Sequence, residues 1–214
     1  MREIIDNIRD QIHKEFEGEA SGHDWWHIHR VVENALHLQE LEGGERYLIE
    51  IAALVHDVGD HKFHKEANAA ETLITKLLIE VGLEKKFIQK VVQIVAEVSY
   101  KGAGVQTNGN SLEAKIVQDA DRLDAIGAIG VGRAFAFGGK RNRLMYEPDH
   151  TPSLHTDFES YKNDKGHTIN HFYEKLLLLK DRMQTDSGRE IAQERHQFMQ
   201  TFLEQFYKEW NINE

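Results

Sequence analysis

Proline placement sets the first constraint on what this chain can fold into. Both prolines, Pro148 and Pro152, fall within one five-residue window, so everything before them is free of the strongest helix breaker. The apolar spacing uses that freedom. Ile4, Ile8, Ile12 and Phe16 step by four near the start, and Phe198, Phe202, Phe206 and Trp210 do the same near the end. Between them the spacing predicts helices at about 24–42, 45–58, 65–81, 84–99, 111–137 and 167–184. No stretch sustains the apolar–polar alternation of a half-buried strand. The expected fold class is all-α.

The 214 residues read as a single domain with a core at about 20–137, a polar loop at about 138–166 and C-terminal helices over 167–211. The polar segment holds both prolines, and too few helices follow it to build a second core. It therefore reads as a long functional loop and not a domain boundary. Charge excludes one large class of function. With 36 Asp+Glu against 26 Lys+Arg the formal charge is -10, the wrong sign for a protein that coats nucleic acid. The N-terminus lacks an apolar signal region and no apolar run nears the ~20 residues of a membrane span, so a cytoplasmic protein without membrane contact is expected. There is no cysteine, whereas there are 13 histidines. Any metal site must therefore use nitrogen and oxygen ligands.

The informative residues are those that break helical amphipathicity. The stretch 45–58 is apolar nearly all round, through Leu48, Ile49, Ile51, Ala52, Ala53, Leu54, Val55 and Val58, and should be buried. It nevertheless ends in His56-Asp57, and His56 shares a face with Ile49, Ala52 and Ala53. A buried, ionised Asp beside a His is costly unless a partner compensates it, and a divalent cation is such a partner. In 111–137 the row Val117, Asp121, Asp124, Ala128 and Val131 embeds two carboxylates in an apolar stripe, and periodicity leaves both as candidates. Asp119 lies on another face near Arg122 and reads as solvated. In 24–42 His27 lines up with Val31, Ala35 and Leu38, with Asp24 as an N-cap and His23 at the rim of a pocket. Trp25 and Trp26 are adjacent, so at most one faces that pocket while the other joins the core.

The segments that carry these anomalies resemble the HD-domain superfamily of metal-dependent phosphohydrolases. His27-Ile28-His29-Arg30-Val31 is similar to its opening H-x-x-R-V segment, Ala52-Ala53-Leu54-Val55-His56-Asp57-Val58-Gly59 to its A-A-L-x-H-D-x-G segment, and Ala120-Asp121-Arg122-Leu123 to its A-D-x-L segment. Further along, Thr168 to Lys175 and Glu194-Arg195-His196 resemble small bacterial members. The resemblance implies an HD-type helical bundle in which His27, His56, Asp57 and Asp121 bind one divalent ion, and it selects Asp121 over Asp124. Mn²⁺, Mg²⁺, Co²⁺ or Ni²⁺ suits such a set better than closed tetrahedral zinc does.

The same resemblance implies a hydrolase acting on a small phosphate ester or nucleotide, with (deoxy)nucleoside triphosphates foremost, cleaved by metal-activated water to a monophosphate and pyrophosphate or to a lower phosphate. Asp60 takes the place of an acidic general acid/base. His23, Lys62, Arg133 and Arg141 are candidate substrate contacts, the two arginines lying in the acid-free stretch from Gly132 to Arg143. His61 and His64 would serve only a second metal, and one metal is favoured. The alternatives are a cyclic-nucleotide phosphodiesterase, an HD-fold di-iron oxygenase and a non-catalytic nucleotide-binding module. A homodimer is left open.

Overall fold

The computed structural model describes residues 1–18, 24–59, 69–98, 108–153 and 166–211, and among them regular structure is helical, with no strand. The helices are α1 (Arg2–Glu15), α2 (Trp25–Glu42), α3 (Arg46–Val55), α4 (Ala69–Glu80), α5 (Lys85–Val98), α6 (Leu112–Asp124), α7 (Gly127–Lys140), α8 (Thr168–Glu174) and α9 (Asp186–Trp210). The all-α expectation from apolar spacing holds.

Helix α3 is the centre. Every residue from Leu48 to Val55 is buried, including Glu50. α1, α2, α5 and α6 pack around it, α4 lies on α5, and α9 closes the far side against α2, α6 and α7. The buried Glu50 carboxylate is compensated from α1: its Oε1 lies 3.3 Å from Arg9 Nη2 and 3.6 Å from Arg2 Nη1. That pair gives α1 a fixed register on α3 in addition to its buried stripe of Ile5, Ile8 and Ile12.

Two expected helices are broken. The stretch 111–137 is not one helix: α6 ends at Asp124 and α7 starts at Gly127. Gly127 has φ +77, and a Cβ there would lie 3.0 Å from the Cβ and Cγ of Arg195, so both the conformation and the space require glycine. The stretch 167–184 is α8 followed by two 3₁₀ turns, Leu176–Leu178 and Lys180–Arg182. Leu176 and Leu179 are both buried and stand three residues apart, the repeat of a 3₁₀ turn. Regular helix in the 45–58 segment stops at Val55, and His56 to Val58 form a turn.

The reading of Asp119 as solvated is overturned. It is fully buried, and its carboxylate accepts from Gln184 N at 2.9 Å and from Thr185 N and Oγ1 at 2.8 Å each. Gln184 and Thr185 lead into α9, so Asp119 satisfies donors that this helix start would otherwise leave orphaned. Helical periodicity counted the residue on a polar face; the returning C-terminal segment covers that face. Glu42, at the end of α2, adds a second acceptor for the same helix start, 2.7 Å from Ser187 N.

The two acids respond differently to their surroundings. Burial pushes the Asp119 carboxyl up against its hydrogen bonds, whereas the Ser187 backbone bond holds the Glu42 carboxyl below its ordinary value. Replacing Asp119 with Ala should destabilise the protein by about 3 kcal/mol, because three donors lose a charged acceptor; urea unfolding measures this. A depressed Glu42 pKa means its contribution is present above the ordinary carboxylate pKa and fades as pH falls below it. The acid limb of a stability–pH curve should therefore be shallower in Glu42→Gln than in the parent.

Candidate metal centre

Three helices deliver the site, each for a local reason. Asp24 caps α2, with Oδ1 accepting from His27 N at 2.8 Å, which fixes His27 in the first helical turn. The apolar circumference of α3 puts its C-terminal turn deep in the protein, carrying His56 and Asp57. The α6 stripe ends with Asp121 and Asp124, one turn apart on the same face.

Four side chains converge. The Nε2 atoms of His27 and His56 lie 3.2 Å apart. His27 Nε2 is 3.4 Å from Asp57 Oδ2 and 3.6 Å from Asp121 Oδ1. His56 Nε2 is 3.7 Å from Asp57 Oδ1 and 3.8 Å from Asp121 Oδ1. His27, His56 and Asp57 are buried, while the Asp121 side chain is 31% exposed, so the cluster is reached from the Asp121 side.

The outer nitrogen of each imidazole is already engaged. His56 Nδ1 lies 2.7 Å from the Ala53 carbonyl, which can only accept, so Nδ1 carries the proton. His27 Nδ1 lies 2.7 Å from Asp124 Oδ2. Asp124 is itself held by Arg30, through Nε at 2.6 Å and Nη2 at 3.1 Å, and by Arg133 Nη1 at 2.9 Å. Burial alone would raise the Asp124 carboxyl, but the His27 and Arg30 hydrogen bonds hold it well below the usual carboxylate range. It stays ionised and keeps the His27 proton on Nδ1. Both Nε2 lone pairs then face each other at 3.2 Å beside two carboxylates. That arrangement is satisfied only by a proton or a cation between them.

The electrostatics agree. Burial and Arg133 work to lower the His27 pKa, yet the hydrogen bonds to Asp124 and Asp57 outweigh them and it is raised. Burial would raise Asp121, but the two imidazoles draw it below its ordinary value. The donor chemistry, two imidazole nitrogens and two carboxylates around one point, fits a divalent ion.

The other expected site residues divide into three groups. Arg133 is at the centre's edge, spending one guanidinium nitrogen on Asp124. Arg141 caps the opposite end of α7 with its guanidinium over the Phe137 ring at 5.3 Å; at 1.5 Å per residue that is about 20 Å from the start of the helix. His23, Asp60, His61, Lys62 and His64 lie outside the described residues. Trp25 is buried and Trp26 is 60% exposed, the opposed orientations expected of adjacent helical residues. Sequence reasoning held Asp124 only as a rival ligand to Asp121 and Arg30 only as part of a motif, and missed the supporting role of both. The signal was available: each stands three residues after an expected ligand, His27 and Asp121, and so on the same helical face.

Comparison with known proteins places this geometry. A family model for the HD domain matches residues 25–126. The chain is 37% identical to Bacillus subtilis YpgQ over 212 residues, 98% of this chain and 96% of that protein. The crystal structure of YpgQ in complex with ADP superposes with a TM-score of 0.75 and 35% identity, covering 96% of this chain and 97% of that one. An HD-superfamily hydrolase from Bacillus thuringiensis superposes with a TM-score of 0.75 and 42% identity, covering 98% of each chain. With His56-Asp57 at the end of a buried helix, facing His27 and Asp121, and similarity along nearly its whole length, the chain belongs to the HD-domain superfamily.

Proposed function

We propose that this protein is a metal-dependent phosphohydrolase acting on nucleotides, with (deoxy)nucleoside triphosphates as the main substrates and pyrophosphate release as the reaction. The observation that carries the reading is the meeting of His27, His56, Asp57 and Asp121 around one point, with the outer nitrogen of each imidazole already bonded. The crystal structure of YpgQ in complex with ADP supports a nucleotide as ligand, and the Bacillus thuringiensis relative supports hydrolysis.

In this reading the four residues hold one divalent cation, Mn²⁺, Mg²⁺, Co²⁺ or Ni²⁺. When bound, such an ion supplies Lewis acidity toward a phosphoryl oxygen and lowers the pKa of water. The chain's own groups do the rest. Asp124 holds His27 with its Nε2 lone pair inward. Arg133 sets positive charge beside the place where a phosphate would lie. Asp60, three residues after Asp57, is assigned to carry the proton, and His23 and Lys62, which flank the ligand segments, to contact the phosphates. Arg141, at the far end of α7, is assigned to the outer part of a polyphosphate.

Purified protein with Mn²⁺ should hydrolyse deoxynucleoside triphosphates in a panel that also holds nucleoside monophosphates and cyclic nucleotides; an intact panel overturns the proposal. His56→Ala and Asp121→Ala should lose both bound metal and turnover. If both keep metal and full activity, the site is misplaced. Asp124→Asn should fold, yet bind metal roughly tenfold to a hundredfold more weakly by calorimetry, because a neutral amide no longer anchors His27 and leaves Arg30 and Arg133 uncompensated.

A further inference from the structure

A cavity of about 430 Å³ lies beside the metal centre, between α2, the start of α7 and α9. Its volume is in the range of small-molecule sites, about 300–1,000 Å³. None of the four candidate metal ligands lines it. It shares only the supporting groups Asp124 and Arg30 with the centre.

Two arginines of its lining, Arg195 and Arg30, supply anion-binding donors beside the carboxylates Asp124, Glu33 and Glu194. Arg195, from α9, is partly buried in its wall and held by neutral partners: Nη1 donates to the Leu123 carbonyl and Nη2 to Asn34 Oδ1, at 2.6 and 3.2 Å. It forms no salt bridge among the described residues. A guanidinium has five N–H donors, so donors remain. Arg30 commits Nε and Nη2 to Asp124 and leaves Nη1. The stem of Arg195 lies against Gly127 at the start of α7, and Ile126 ahead of it gives that helix no side-chain cap. Ala128 and Ile129, in the first turn, line the same cavity, and the first-turn amides of a helix have no partner within the helix.

The same elements also give the cavity apolar lining: Ile129 of α7 and Phe198 of α9 are each 49% exposed. Glu33 and Glu194 stand exposed at the cavity and disfavour a highly charged polyphosphate. The donors approach from three directions, α2, α7 and α9, which suits the three terminal oxygens of a phosphate better than the two of a carboxylate.

We propose that this cavity is a second binding site, for a small organic phosphate monoester. The phosphate sits on Arg195, Arg30 Nη1 and the first-turn amides of α7, with the apolar body against Ile129 and Phe198. The site is independent of the hydrolytic reading above.

Phenyl phosphate, titrated into the full-length Mg²⁺-loaded protein and followed by amide NMR, tests it. Saturable shifts are expected at Ala128, Ile129, Gly130 and Phe198. Ala128→Glu is the sharpest variant: an exposed acid in a first turn favours the helix, so the protein folds, but it repels an anion there. Affinity should fall roughly tenfold or more in Ala128→Glu, fall also in Phe198→Ala, and persist in Asp121→Ala, so a failure at the metal centre is read separately. Four outcomes overturn the proposal: no saturable shift, shifts confined to the metal-centre residues, unchanged affinity in Ala128→Glu, or benzoate binding as tightly as phenyl phosphate.

Discussion

The hydrogen bond from His27 Nδ1 to Asp124 is the interaction on which the centre depends. An imidazole without a fixed partner samples two tautomers and several ring angles, and only one combination turns Nε2 toward His56. Asp124 selects that combination because it is ionised, and it is ionised because Arg30 and Arg133 surround it. Each of these residues would be expensive to bury alone. Together they form a charged network that joins α2, α6 and α7. A change in any member reaches the ligand geometry without touching a ligand.

Helix α3 imposes the complementary constraint. Its apolar circumference leaves it no solvent-facing side, so whatever follows its last turn is carried inward. His56 and Asp57 are therefore placed by the burial of Leu48 to Val55 rather than by contacts of their own. This is why the site sits between helices that also form the core. The stability of the fold and the precision of the centre are not separable in α3, whereas they are largely separable in α9.

How much could be read from the chain follows the same division. Interruptions of the apolar pattern at His27, His56-Asp57 and Asp121 were visible because polar residues on inward faces require a reason, and the similarity of their segments to a family narrowed Asp121 from Asp124. Asp119 was misread because its covering segment arrives from far along the chain, around Gln184 and Thr185, and helical periodicity carries no information about such returns. The break at Gly127 was invisible for a related reason: the apolar stripe runs through it in phase, and the positive φ and the packed Arg195 stem that make glycine necessary are features of the folded chain. Leu176 to Leu179 read as α-helical because a short apolar run does not distinguish a period of three from one of 3.6.

That break has an electrostatic consequence. An uninterrupted helix from Leu112 to Lys140 would separate its ends by about 40 Å, and its middle would present no net dipole to the centre. Divided at Gly127, it offers two new ends within a few residues of each other. The carbonyl end of α6 falls beside Asp121 and Asp124 and adds partial negative charge where a cation is to be held, as the end of α3 does beside His56. The amide end of α7, with its partial positive charge, lies at the neighbouring cavity. One glycine thus sorts charge of opposite sign into two adjoining compartments, making one attractive to cations and the other to anions.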